Sequence, residues 1–187
     1  MQLTQKESQF IKELKGQEKV CIEKFTRYSQ MAKDTQLKNL FTQLAQAEQG
    51  HLNTLTDIES GKQPQAGGGS STAPTFTETY SQADSEDKKH DCFLCSDSLG
   101  TEKHVSSLYN TSVFEFANPQ LRDTLNGIQK AEQGHGKMIY DYMSANNMYS
   151  FARSLYPKNT FGRGACSVFF INFHLSIKKA KSCSSLF

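Results

Sequence analysis

From Phe10 onward the apolar positions Phe10, Ile11, Leu14, Cys21, Ile22, Phe25 and Tyr28 recur three and four residues apart, the period of one buried helical face. This predicts a first helix over about residues 4–32. Asp34 and Thr35 offer caps for a second helix, whose stripe of Leu37, Leu40, Phe41, Leu44, Leu52, Leu55 and Ile58 runs to Gly61 and predicts about 35–60. A third, over about 85–117, carries Phe93, Leu94, Leu99, Val105, Leu108, Tyr109, Val113 and Phe116 on its inner side. Asn118 as cap and Pro119 at the first helical position open a fourth, over about 119–146, with Leu121, Leu125, Ile128, Met138, Ile139 and Tyr142 inward.

Residues 61–83 are rich in Gly, Ser, Thr and Pro and lack a helical period, which reads as a flexible connection. Long loops are uncommon in compact domains. A helix of about 26 residues is roughly 39 Å long, and an extended segment of this length exceeds it. The connection therefore suits a crossover between helices 2 and 3. The expected fold is all-α, a four-helix bundle built from two hairpins.

The two hairpins also match in wording when the chain is slid by 84 residues. Gly16, Glu18 and Lys19 fall on Gly100, Glu102 and Lys103, Gln36-Leu37 on Gln120-Leu121, and Ala47-Glu-Gln-Gly-His51 on Ala131-Glu-Gln-Gly-His135. Twelve of the 45 positions from 16 to 60 are identical to their counterparts, which reads as an internal duplication of one helical hairpin.

Composition fits a polar-surfaced globular protein: 187 residues, 36% hydrophobic, 21% charged, four Pro, and a mean hydropathy of −0.60. The net charge of +2 conceals a split, because residues 150–187 hold six Lys or Arg and no acid, leaving 15 basic against 19 acidic residues before them. That excess of acid argues against nucleic acid as a partner. Five unevenly spaced Cys are no disulfide framework. The start, Met1-Gln-Leu-Thr-Gln-Lys-Glu, lacks a basic region followed by an apolar run, so synthesis in the cytosol without a cleaved signal is expected.

Each hairpin places one Glu mid-way along its first helix and, thirty residues later, Glu-x-x-His on its second: Glu18, Glu48 and His51, then Glu102, Glu132 and His135. All six fall within the apolar stripes, where an unpartnered carboxylate is prohibitively costly. Positions i and i+3 put carboxylate and imidazole on one helical face. Four Glu and two Glu-x-x-His pairs in a four-helix core form the ligand set of di-iron and di-manganese carboxylate bundles, and four carboxylates balance two divalent ions. Imidazole and carboxylate suit iron and manganese alike.

This pattern resembles the ferritin-like superfamily, above all rubrerythrin and manganese catalase, over about residues 4–146. The resemblance implies that Glu48 and Glu132 bridge two metals, that Glu18 and Glu102 are terminal carboxylates, and that His51 and His135 each ligate one metal. Rubrerythrins carry a rubredoxin domain with two Cys-x-x-Cys knuckles. This chain has only Cys92-x-x-Cys95, so an iron–sulfur centre is not expected.

A closer likeness lies in the helices themselves, in Thr101-Glu-Lys103, in Phe114-Glu-Phe-Ala-Asn-Pro119 and in both Glu-Gln-Gly-His stretches. Over about residues 4–149 they look like the coat F domain of endospore-forming bacteria, the family of spore coat protein F. The family implies a spore coat component, made in the mother-cell cytoplasm, with other coat proteins and further copies of the chain as partners. No established reaction comes with it. Two alternatives stay open: a peroxide- or oxygen-consuming enzyme of rubrerythrin or manganese-catalase type, and a structural module with an empty site.

Other residues carry plainer expectations. Cys92 and Cys95 read as half-buried packing, with cross-linking in the coat left open, and Tyr109, two turns after Glu102 on the same face, reads as core, with a hydrogen bond to the site as the alternative. His90 and His104 read as solvent-facing. Gly50 and Gly134 either let helices approach or were inherited with the repeat. Residues 1–149 are expected to form one domain. The basic tail, 150–187, falls outside it and reads first as an end altered by frameshift, read-through or cloning, and otherwise as a basic membrane-surface segment; its apolar run, 168–177, is too short to span a bilayer.

Overall fold

The computed structural model describes residues 2–62, 73–81 and 85–149, and the expectations for the tail fall outside these. Four helices, α1 (Gln5–Met31), α2 (Thr35–Glu59), α3 (Glu86–Val113) and α4 (Pro119–Ala145), make up the fold, with no strand among the described residues. Each begins at a residue whose side chain accepts from an otherwise unpaired amide of the first turn: Thr4, Asp34, Ser85 and Asn118. Thr4 and Glu7 do so reciprocally, as a capping box. Past the end of α2, Gly61 turns the chain at φ 82°, a region that glycine enters without steric cost.

The polar contacts between helices fix their sense. At one end of the bundle Lys6 pairs with Glu115, and the amide of Ala117 donates to Glu7. At the other end Lys24 reaches Asp97, and the amide of Lys33 donates to Asp91. α1 and α3 are therefore antiparallel. Tyr142, near the end of α4, donates to Asp34 at the start of α2, so those two helices are antiparallel as well. α2 and α3 consequently run the same way. The connection between them must cross the length of the bundle, because α2 ends beside Lys15 of α1 and α3 starts near the α1–α2 turn.

The core is continuous through all four helices, with Phe25, Leu44, Leu55, Leu94, Val105, Leu125 and Ile139 fully shielded. Three expectations need correction. Helix α3 stops at Val113, four residues short of the expected end, because Phe116 is buried from the turn beyond it. Phe93 is 66% exposed, while Asp91, Cys92, Leu94 and Cys95 around it are buried. The inner face of α3 here is partly polar, so the apolar count pointed the wrong way. Cys92 and Cys95 are fully buried, where half-burial was expected.

Part of the connection is also more ordered than its composition suggests. Gln36 exchanges hydrogen bonds of 3.0 Å with the backbone of Thr77, and Phe76 meets the ring of Tyr142 edge-on. Thr79 donates to Asp34 at 2.8 Å and Tyr80 to Asp91 at 2.6 Å. Residues 76–80 are thus strapped across the end of the bundle. No helix among the described residues is long and apolar enough to cross a membrane.

Candidate metal centre

The antiparallel pairs bring Glu18 of α1, Glu48 and His51 of α2, Glu102 of α3, and Glu132 and His135 of α4 into one cluster mid-way along the bundle. Glu18, Glu48 and Glu132 have no exposed surface, and Glu102 and His135 have almost none. His51, with 14% of its side chain exposed, is the cluster's contact with solvent.

Glu48 sits between the two imidazoles. Its Oε2 lies 3.0 Å from His51 Nδ1 and its Oε1 2.9 Å from His135 Nδ1. His51 Nδ1 is also 2.8 Å from Glu132 Oε1, outside hydrogen-bond geometry, and 3.8 Å from Glu18 Oε2. On the other side His135 Nδ1 lies 3.8 Å from both Glu102 Oε2 and Glu132 Oε2. The two rings stack with centroids 5.6 Å apart.

Two overlapping groups of four result: Glu18, Glu48, His51 and Glu132, and Glu48, Glu102, Glu132 and His135. Within each, one potential ligand atom per residue lies within 4.8 Å of the others. These groups can hold a metal ion. Glu48 and Glu132 belong to both.

The electrostatics of the cluster's own side chains are those of crowded acids. Burial, then the charges of Glu132 and Glu48, push Glu18 up to about 10. Burial and the same two neighbours push Glu102 well above the usual carboxylate range. Glu48 goes the other way: burial works upward, but the hydrogen bonds with His135 and His51 outweigh it and hold the carboxyl below that range. Burial works against charge on His51 too, yet Glu132 and Glu48 raise it to about 10. Protons therefore do here what divalent cations would do, since binding a metal releases them. They do it incompletely. Left ionised, Glu18 Oε2 and both oxygens of Glu102 and Glu132 are buried with no donor in hydrogen-bond geometry, a costly state that protons shared between carboxyls relieve in part and that a cation would relieve further. The donor set fits a divalent cation on that ground.

Comparison with known proteins adds one finding. Residues 90–152 match the coat F domain. The likeness read from the wording of the helices is thus shown for this stretch, which takes in nearly all of α3, the whole of α4, and Glu102, Glu132 and His135. No match was found among curated proteins or among solved structures.

Within the coat F segment and opposite it, several side chains near the cluster behave otherwise than their spacing suggested. Tyr109, read as core, is fully buried but also donates its hydroxyl to Glu18 Oε1. Cys21, one turn after Glu18, is buried, and burial followed by the nearby carboxylates pushes its thiol far up, so it is no nucleophile. His104 is exposed, whereas His90 is half-buried with an unpartnered Nε2. Gly50 and Gly134 do not serve close approach: a Cβ at either would meet nothing within 4 Å. Gly136 does face α3, with Leu99 Cδ1 3.5 Å from where its Cβ would be.

Proposed function

We propose that this chain is a spore coat protein whose bundle is ferritin-like and holds two divalent transition-metal ions, iron or manganese. The observation that carries this reading is the pair of overlapping ligand groups with five buried carboxylate oxygens that lack any hydrogen-bond partner. On this reading Glu48 and Glu132, common to both groups, would be shared by the two ions, Glu18 and His51 would complete one position, and Glu102 and His135 the other. The coat F match and the parallel course of α2 and α3, which a crossover joins, support it. So do equivalent positions 84 residues apart in the two hairpins, as a duplication would leave them.

Bound iron or manganese would supply Lewis acidity and one-electron redox chemistry. The chain's own part would be to neutralise the cations with four carboxylates, present the two imidazoles to them, and keep water to the His51 side. The protein is made in the mother-cell cytoplasm and joins other coat proteins in the coat.

The test is elemental analysis of protein purified without chelator after expression with added iron and manganese. About two ions per chain are expected, and none would sink the reading. Peroxide mixed with the loaded protein separates it from the enzyme alternative, since a rubrerythrin- or catalase-type centre would consume it.

A further inference from the structure

The two halves of the centre set their first-helix Glu at the same distance from the His but partner that Glu differently. Glu18 Oε2 lies 3.8 Å from His51 Nδ1, and Glu102 Oε2 lies 3.8 Å from His135 Nδ1. On the first side the hydroxyl of Tyr109 ties down the other oxygen, Glu18 Oε1. The residue 84 positions before Tyr109 is Phe25, which is fully buried and stacked on Phe41 at 6.0 Å. A phenyl ring has no hydroxyl to offer. Both oxygens of Glu102 are accordingly buried without a hydrogen-bond partner, whereas Glu18 has only Oε2 left, the atom that faces His51.

We propose that Tyr109 is a positioning residue that makes the Glu18–His51 position the tighter of the two metal positions and the first to fill. This rests on the metal-binding reading above. A carboxylate already held by one oxygen, with the other aimed into the ligand group, loses less freedom when a cation arrives. Partners of this kind behind a ligand are worth about 10- to 100-fold in metal affinity. Glu102 must be ordered by the cation itself, and its position fills second.

The test uses the full chain, stripped of metal by chelation and dialysis, and titrated with Mn2+ while the signal of free Mn2+ is followed. Because the sequence contains no Trp, tyrosine emission reports the first step independently. The expected result is binding in two separate steps. In Tyr109→Phe, which removes only the hydroxyl, the first step weakens about tenfold or more, merges with the second, and loses most of its emission change. In Phe25→Tyr the second step tightens while the first stays put. Equal steps in the wild type, a first step untouched by Tyr109→Phe, or a second step unmoved by Phe25→Tyr would overturn the proposal. The metal reading survives those outcomes, whereas a wild type that takes up no Mn2+ ends both.

Discussion

The carboxylate of Glu7 accepts a hydrogen bond of 3.2 Å from the backbone amide of Ala117, fastening the first turn of α1 to the turn before α4. Its counterpart 84 residues on is Asp91, which accepts from the amides of Lys33 and Asp34, each at 2.9 Å, in the turn before α2. An acid of each hairpin thus clasps the turn of the other. The contacts set the mutual depth of the hairpins, and with it the height at which the cluster's side chains meet.

Glu7 carries a pH dependence. Burial works to raise its pKa, but hydrogen bonds from Thr4 and Ala117 outweigh it and hold the carboxyl below the usual range. A folded-state value below the unfolded one gives stability that is complete above the unfolded pKa of about 4.3 and lost as pH falls through the lowered value. Replacing Glu7 with Gln should cost about 1–2 kcal/mol at pH 7. Urea unfolding of both proteins should show the gap closing below pH 4, and a constant gap would contradict the mechanism.

Asp91 should matter more, because it is fully buried and accepts from two amides and from the hydroxyl of Tyr80. Asp91→Ala leaves those donors unpaired and should cost about 3 kcal/mol, near 10 °C in melting temperature. Asp97 also receives two donors, Lys24 and Tyr28, but is exposed. Asp97→Ala should cost less than about 1 kcal/mol. Calorimetry of the two variants checks the contrast.

Metal stoichiometry should depend on which acid is changed. Glu48 enters both ligand groups and Glu102 only one. Glu48→Gln is therefore expected to leave little or no tightly bound metal after gel filtration, and Glu102→Gln about one ion per chain. Loading should also stabilise the wild type by about 2.7 kcal/mol at a free concentration a hundred times the dissociation constant. Elemental analysis and thermal melts read both effects, and equal losses in the two variants would contradict the shared role of Glu48.

The register of α3 can be tested at neighbouring positions. Phe93 is 66% exposed and Leu94 is fully buried. Phe93→Ser should change stability by less than about 0.5 kcal/mol, while Leu94→Ala should cost about 2–5 kcal/mol. A reversed order in denaturant midpoints would mean that α3 is rotated from the position described.

Helices α1, α2 and α4 were legible because their apolar residues keep the helical period and their caps, Asp34 and Asn118, stand just before it. The six cluster residues were legible because a register of 84 repeats the same Glu and Glu-x-x-His positions. Tyr109 was legible only as the second of two readings, since an aromatic in a buried stripe reads first as packing, and the fold shows its hydroxyl reaching Glu18 of α1. Around Asp91 the signal is inverted, with the acid inside and Phe93 outside, because the acid's partners come from a turn far off in sequence. The strap at 76–80 was hidden because its Thr and Tyr hydroxyls find their acceptors only across the end of the bundle.

Each ligand group takes three of its residues from one hairpin and the fourth from the other. Two free hairpins would have to meet by diffusion to close either group, and the closed fraction would fall on dilution. On one chain the encounter is intramolecular, and a tether of this kind presents one half to the other at an effective concentration on the order of millimolar. The crossing connection thereby makes assembly of the centre independent of how many copies of the protein are present, so that the first molecules made in a cell can close it as completely as the last.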